Sequence, residues 1–424
     1  MANPLKPIVL YPEDGSFSPP LALELLPYGL TLNKILINGD GKTHDIVIGP
    51  YVLEDHKKSR RFQNTIIGRY SNRLPVGNHD IEKGGSKEVV APIANENTNV
   101  SLHGGPVGFD QAAFTPVDSI NSSKLFTQKE LTALIAHAPS ATLFTHTSPA
   151  GDQGYPGELF IEVIVALSNS SRTWDPVTRE RSLGSVILLY RAIVRSPNGT
   201  RVITPVNLTH HWGFNLDASY ALPNGRTPDI KNHRLFIDAK HVLAGDRTLL
   251  PTGELVDTKS TTFDFSDPNP RTIGERYPDD GGYDHYWLFT SDTPRQPAHV
   301  PLKGLVDGHQ DLITSIFSST PRVQLISGKS DLKLLFSTNQ RGVQFYSGGG
   351  LDESGTRKRI HGGSEIGPGY PSSSAAFLEF HAPHAAFLHA FPGATDENAD
   401  TILSSDELYN HWVRLEILHT PVDE

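Results

Sequence analysis

The sequence predicts an all-β protein, a large antiparallel β-sandwich, and three observations carry that expectation. Its 37 glycines and 32 prolines cut 424 residues into many short runs. Those runs alternate apolar and polar residues with the period of two that a strand imposes, and apolar residues at helical spacing are scarce. No shift in composition marks a linker, so a single domain spanning 1–424 is expected, although length alone suggests two or three.

The elements follow in chain order. The segment 127–138 is the one real helix expected, with Leu131, Leu134, Ile135 and Ala138 at helical spacing behind Thr127 as a cap. Glu158–Leu167 mixes alternation with a continuous apolar core, and 185–194 reads as a further strand. The run 204–216 alternates throughout. Beyond it, strands are expected at 285–290, 323–327, 332–337 and 375–380. One more is expected near the C-terminus, where Val413, Leu415 and Ile417 alternate with Arg414 and Glu416.

Composition removes several kinds of chemistry. There is no cysteine, which excludes disulfides, thiolate metal sites and cysteine nucleophiles. With 37 Lys+Arg against 47 Asp+Glu the net charge is −10, and the longest basic run is the short stretch 57–61. Neither a nucleic-acid nor an anionic-membrane partner is expected. Apolar residues make up 37%, a modest share that still permits a sizeable core in a chain this long. The start, MANPLKPIVLYPEDG, has no secretory pattern, and the longest apolar segment is broken by Tyr190 and Arg191. Asn99, Asn121, Asn169, Asn198 and Asn207 each open an Asn-x-Ser/Thr triplet, which chance explains in a chain of this composition. A cytoplasmic location is the expectation.

Four segments could carry chemistry. In 204–216, alternation puts Val206, Leu208, His210, Trp212 and Phe214 on one face and Asn207, Thr209, His211, Gly213 and Asn215 on the other. That polar face either meets solvent or supplies a site. In 375–382, Glu379 shares a face with Phe377 and His381. A carboxylate among aromatics is partly desolvated, which raises its pKa and makes it a candidate general base; the alternative is a solvated glutamate on an edge strand. Asn72 and Arg73 stand side by side between glycines as amide and guanidinium donors suited to hydroxyl oxygens, and His103 precedes Gly104 and Gly105, where a tight turn permits close approach of a ligand.

Together these segments resemble the galactose mutarotase, or aldose 1-epimerase, family. Gly68-Arg-Tyr-Ser-Asn-Arg73 is similar to that family's G-R-x-x-N-R, and Leu102-His-Gly-Gly105 with Gly108-Phe-Asp110 to its L-H-G-G and G-F-D. Gly151-Asp-Gln-Gly-Tyr-Pro-Gly157 resembles G-x-x-G-Y-P-G, and 204–216 resembles T-P-V-N-L-T-N-H-x-x-F-N-L. Leu250-Pro-Thr-Gly-Glu254, Phe263-Asp-Phe265, Gly282-Tyr-Asp-His285, Gly342-Val-Gln-Phe-Tyr346 and Leu378-Glu379 follow in the family's order, so the likeness spans about residues 20 to 418.

The resemblance implies a large β-sandwich whose concave face takes a small aldose and interconverts its anomers. By that likeness Glu379 is the general base, His211 the general acid and His103 a second active-site histidine, while Asn72, Arg73, Asp284 and Gln344 hold sugar hydroxyls. No cofactor and no metal are implied, and the protein is expected as a monomer or homodimer. Nearby Glu379 or Asp284 is expected to favour the imidazolium form of His211. The chain departs from the pattern at His210, where Asn is usual, and at Trp212 and Gly213, where Ser and Tyr are usual; Gly213 is expected to leave room beside His211. Phe380-His-Ala-Pro383 also differs from the usual polar phrase. Excess length is placed near 117–140, 168–183 and 291–321, as surface loops or edge elements. Two other functions fit the fold. A hexose-6-phosphate mutarotase needs a cationic cluster, of which no sign exists beyond Arg73; a non-catalytic carbohydrate-binding or sensor protein would dispense with His211 or Glu379, and both are present. His381, His384 and His389 lie in a proline-containing turn without supporting carboxylates and read as structural rather than metal-binding.

Overall fold

Alternating strands pair into two large antiparallel sheets in the computed structural model of the chain. It describes residues 3–420 except 13–17, 40, 59–61, 172–173, 197–198, 221, 223–224, 226, 291–295, 304–311 and 392–398. The larger sheet orders its strands as Thr115–Val117, Ser140–Ser148, Glu158–Leu167, Arg181–Arg195, Glu407–His419, Leu332–Thr338, Val323–Ile326, Arg234–Ile237 and Arg271–Thr272, with His299–Pro301 paired to Glu407–His419. The smaller orders Trp212–Phe214, Ala376–His381, Gly342–Tyr346, Asp284–Phe289, Ala239–Gly245 and Pro251–Asp257.

The apolar faces of the two sheets meet in one core, as in a sandwich. Phe336 of the larger sheet lies between Phe214 and Phe380 of the smaller, with ring centroids 5.3 and 5.2 Å away. A four-stranded sheet, Ile8–Leu10, Leu21–Leu26, Thr31–Asn38 and Thr43–Asp45, adds its leucines and isoleucines to the same core. The opposite face of the smaller sheet is left for a site.

The expected helix forms as Gln128–His137, closed by a capping box between Thr127 and Glu130. Residues 117–140 are more than a surface loop, because this helix lays Leu131 and Leu134 on the outside of the larger sheet, against Ile164, Ile187 and Trp412. Two buried charges on that sheet hold it. Glu162 accepts the backbone N–H groups of Lys124 and Leu125, and Arg191 donates to Leu125 O and to Glu130. Part of 291–321 joins this covering layer, with Phe317 stacked 4.3 Å from His137; 291–295 and 304–311 lie outside the described residues. The segment 168–183 extends a hairpin, through bonds from Ser168 to Ser185 and Ser171 to Ser182, and its 172–173 also lies outside the described residues, as do Asn198 and 59–61. No helix among the described residues is long and apolar enough to cross a membrane.

Candidate active site

Three adjacent strands of the smaller sheet present polar side chains on the face away from the core. Gln344 stands directly across from Glu379, and Asp284 lies one strand further on. Gln344 Nε2 donates to Asp284 Oδ1 at 2.6 Å. The strand carrying Glu379 is paired on both sides, so this is an interior glutamate and not a solvated edge residue. It is 2% exposed.

The run 204–216 is broken into Ile203–Pro205, Thr209–His210 and Trp212–Phe214, yet its alternation survives at the two histidines. His210 faces the core, donating through Nε2 to Leu30 O at 2.9 Å and accepting the Tyr190 hydroxyl at Nδ1 at 2.7 Å. His211 faces the other way, with Nε2 3.4 Å from Glu379 Oε1. The polar face does not meet solvent: Asn207, Thr209, His211 and Asn215 are all buried. Asn207 makes two bonds to the backbone of Ala382, and Asn215 donates to Ser374 O, so the two amides grip both ends of the Glu379 strand. Gly213 opens no room beside His211. A Cβ there would sit 2.6 Å from Phe377 and 3.2 Å from Ile48, and the space is already filled. Trp212 is no pocket wall either; it is buried in the core, stacked on Phe214.

The facing wall comes from Arg73–Pro75 paired with Val100–Leu102, with Arg73 opposite Leu102. Asn72 and His103 both adopt positive φ, 64° and 52°, a conformation rare outside glycine. Each holds the other there: His103 N donates to Asn72 O, and Asn72 N donates to His103 Nδ1 at 3.2 Å. The Gly104 turn does permit a close approach, but of backbone, since a Cβ there would lie 1.9 Å from Gly68 O. These walls and the floor enclose a cleft of about 220 Å³, lined by Asn72, Arg73, His103, His211, Asp284 and Glu379 with Phe62, Tyr346 and Phe377 among its apolar parts. Gln344 lies behind Asp284 and lines an adjoining smaller pocket. Phe62 and Leu351 belong to no run or motif, and only the tertiary fold brings them in.

Electrostatics set the protons. Burial, with Asp284 adding repulsion, pushes the Glu379 carboxyl well above the usual range, against a smaller pull from Arg73. Burial lowers His211 to about 3, and His381 adds to the effect. The expected imidazolium is therefore not the form favoured in the free cleft. The cost of charging a buried ring outweighs the carboxyl beside it, whose own ionisation burial opposes. Arg73 is kept charged: burial opposes it, but Asp284 and Glu96 more than compensate.

One donor atom from each of His103, His211 and Glu379 falls within 4.8 Å of the others, a set that resembles a metal-binding triad. The residues do not fit a resident ion. The Asn72 N–H occupies His103 Nδ1 and so places the ring hydrogen on Nε2, leaving neither nitrogen with a lone pair to offer. His381, His384 and His389 form no such group among the described residues; His381 Nδ1 bonds Ala382 O.

Comparison with known proteins defines first the fold and then the family. An aldose epimerase homologue from C. elegans superposes with a TM-score of 0.66 at 20% identity, covering 98% of this chain and 99% of that one. A galactose 1-epimerase from Lactobacillus acidophilus gives 0.64. The chain belongs to the aldose 1-epimerase family, whose model matches residues 189–416, more than half its length, and the enzymes of this family are isomerases. Galactose mutarotases from Mus musculus and Homo sapiens are 28% and 29% identical to it, each over 94% of this chain and 92% of the relative. An aldose 1-epimerase from Escherichia coli is 27% identical over 77% of the chain and 80% of its own length.

Proposed function

We propose that the protein interconverts the α and β anomers of neutral hexoses such as D-glucose and D-galactose. The observation that carries this reading is the 3.4 Å contact between His211 Nε2 and Glu379 Oε1 inside a cleft whose other polar lining includes Asn72, Arg73, His103 and Asp284, groups suited to sugar hydroxyls. Glu379 as carboxylate takes the proton from the C1 hydroxyl while His211 as imidazolium delivers one to the ring oxygen, and the C1–O5 bond opens to the aldehyde. Rotation about C1–C2 and closure from the other face, with both protons returned, gives the second anomer. His103, its hydrogen on Nε2, serves as a donor. Asn72, Arg73 and Asp284, with Gln344 behind, hold the remaining hydroxyls.

A neutral sugar is favoured over a hexose phosphate. Among the described residues lining the cleft Arg73 is the one Lys or Arg, and it is already engaged by Glu96 and Asp284. The mouse and human relatives, named galactose mutarotases, support the same substrate class. Polarimetry on freshly dissolved α-D-glucose and α-D-galactose tests the reading: the purified protein should speed the approach to the equilibrium rotation. A rate equal to that of buffer alone would leave a sugar-binding protein without this activity.

A further inference from the structure

The polar wall of the cleft is held from outside by a residue that no motif marks. Residues 95–100 fold into a tight turn, with Asn95 N and Glu96 N both bonded to Val100 O. Asn95 fixes this turn to the loop bearing His103: it accepts from Leu102 N at 2.6 Å and donates to Leu102 O and Gly105 O at 3.0 Å each. The strand that leaves the turn, Val100–Leu102, is the one paired with Arg73. Glu96 is thereby carried to the outer side of the Arg73 guanidinium.

There the contact is two-pronged. Arg73 Nε donates to Glu96 Oε2 at 2.9 Å and Nη2 to Oε1 at 2.9 Å, so one whole edge of the guanidinium is occupied. The remaining nitrogen, Nη1, turns to Asp284 Oδ2 at 3.4 Å, on the cleft side. A guanidinium has only a few edges, and a carboxylate pair on one of them fixes the direction of the others. Without Glu96 the Nε–Nη2 edge loses its carboxylate partner, and the guanidinium, already touching Asp284 through Nη1, is freed to pair fully with Asp284 or to turn toward Glu379, the other carboxyl in the cleft. Either movement would fill the space meant for sugar hydroxyls and neutralise a carboxylate there.

We propose that Glu96 is a positioning residue for the sugar cleft, holding Arg73 so that it meets a hydroxyl instead of collapsing on Asp284. This rests on the function proposed above. A purely structural ion pair would leave KM unchanged, and a partly exposed pair adds little to folding, so its loss should not lower the melting temperature.

The test is Glu96→Ala, with the near-isosteric Glu96→Gln as companion, measured by polarimetry and by thermal unfolding. Glu96→Ala should raise KM for D-galactose about tenfold while kcat stays within about threefold of wild type and the melting temperature is unchanged. Glu96→Gln, which keeps one acceptor, should fall between. Wild-type KM in a folded Glu96→Ala protein, or a loss confined to kcat, would overturn the role of Glu96 and leave the mutarotase reading standing. If the wild type binds galactose calorimetrically without turning it over, the sugar Kd takes the place of KM as the deciding quantity. If it neither binds nor turns over sugar, the functional reading fails and this inference with it.

Discussion

Where a proton shared by Glu379 and His211 rests follows from their surroundings. Burial raises the carboxyl and lowers the imidazole to about 3, so in the free cleft the proton sits on Glu379. The proposed ring opening needs the reverse arrangement, carboxylate and imidazolium, which contains the same number of protons. In the proposed step a proton transfer between these groups, whose nearest atoms lie 3.4 Å apart, would convert one into the other without exchange with solvent. Incoming sugar hydroxyls would favour that transfer by donating to the carboxylate. Once the ring has opened, the pair is left as carboxylic acid and neutral imidazole, the form the dry cleft prefers, so the same burial stabilises the open-chain intermediate. Glu379→Gln should therefore lower kcat by about 10²–10⁴-fold while the sugar Kd, by calorimetric titration, changes little. Full turnover by that variant would remove Glu379 from the proton chemistry. Alternation along 204–216 sorted His211 from His210 because side-chain direction is a local property of a strand. Protonation was not legible, and the expected imidazolium failed, because it depends on burial by residues such as Phe377 and Phe62 that approach only in the folded chain.

At the scale of elements, the run 204–216 acts as a brace for the strand Ala376–His381. Asn207 bonds Ala382 just beyond that strand and Asn215 bonds Ser374 just before it, with His211 between them facing Glu379. His211 and Glu379 are thus positioned by the same two amides. Asn207→Ala leaves the N–H and C=O of Ala382 without these partners, and the expected loss is about 1–3 kcal/mol of stability, read as a lower urea midpoint. An unchanged midpoint would mean that water replaces the amide at no cost and that the brace is not what fixes the strand. The alternation of this run shows in the sequence, as do the long strands of the larger sheet and the helix behind Thr127. Its interruptions do not, because Thr209–His210 and Trp212–Phe214 pair with different partners, Ile66–Ile67 and Ala376–His381. Nor does the covering role of 117–140, which depends on Glu162 and Arg191, charges that alternation alone would leave in solvent.

Across the whole molecule the buried histidines dominate the response to acid. His210, His211, His361, His381, His384 and His411 are all buried. Burial lowers the first four to about 4, 3, 3 and 4, and holds the last two well below the ordinary value. In the unfolded chain each takes up a proton near pH ~6.5. Their neutral burial therefore contributes stability that is fully present above that pH and is lost as the pH falls toward about 3 to 4. Each histidine protonated only in the unfolded state adds a slope of about 1.4 kcal/mol per pH unit. Three of them would already give on the order of 4 kcal/mol per unit, against a typical total stability of about 5–15 kcal/mol. Glu379 works in the opposite sense: its raised carboxyl contributes stability below its unfolded pKa that is lost as the pH rises. Asp45 and Asp400, also raised by burial, act in the same sense. These are three carboxyls against six imidazoles, and Glu130, lowered by Arg191 despite burial, sides with the histidines by losing its contribution in acid. Urea midpoints measured at pH 7, 6 and 5 should fall with increasing steepness, by more than any single titrating group allows. A midpoint flat across that range would show that these imidazoles take up protons in the fold as readily as in the unfolded chain, and that the core around them is wetter than its packing indicates.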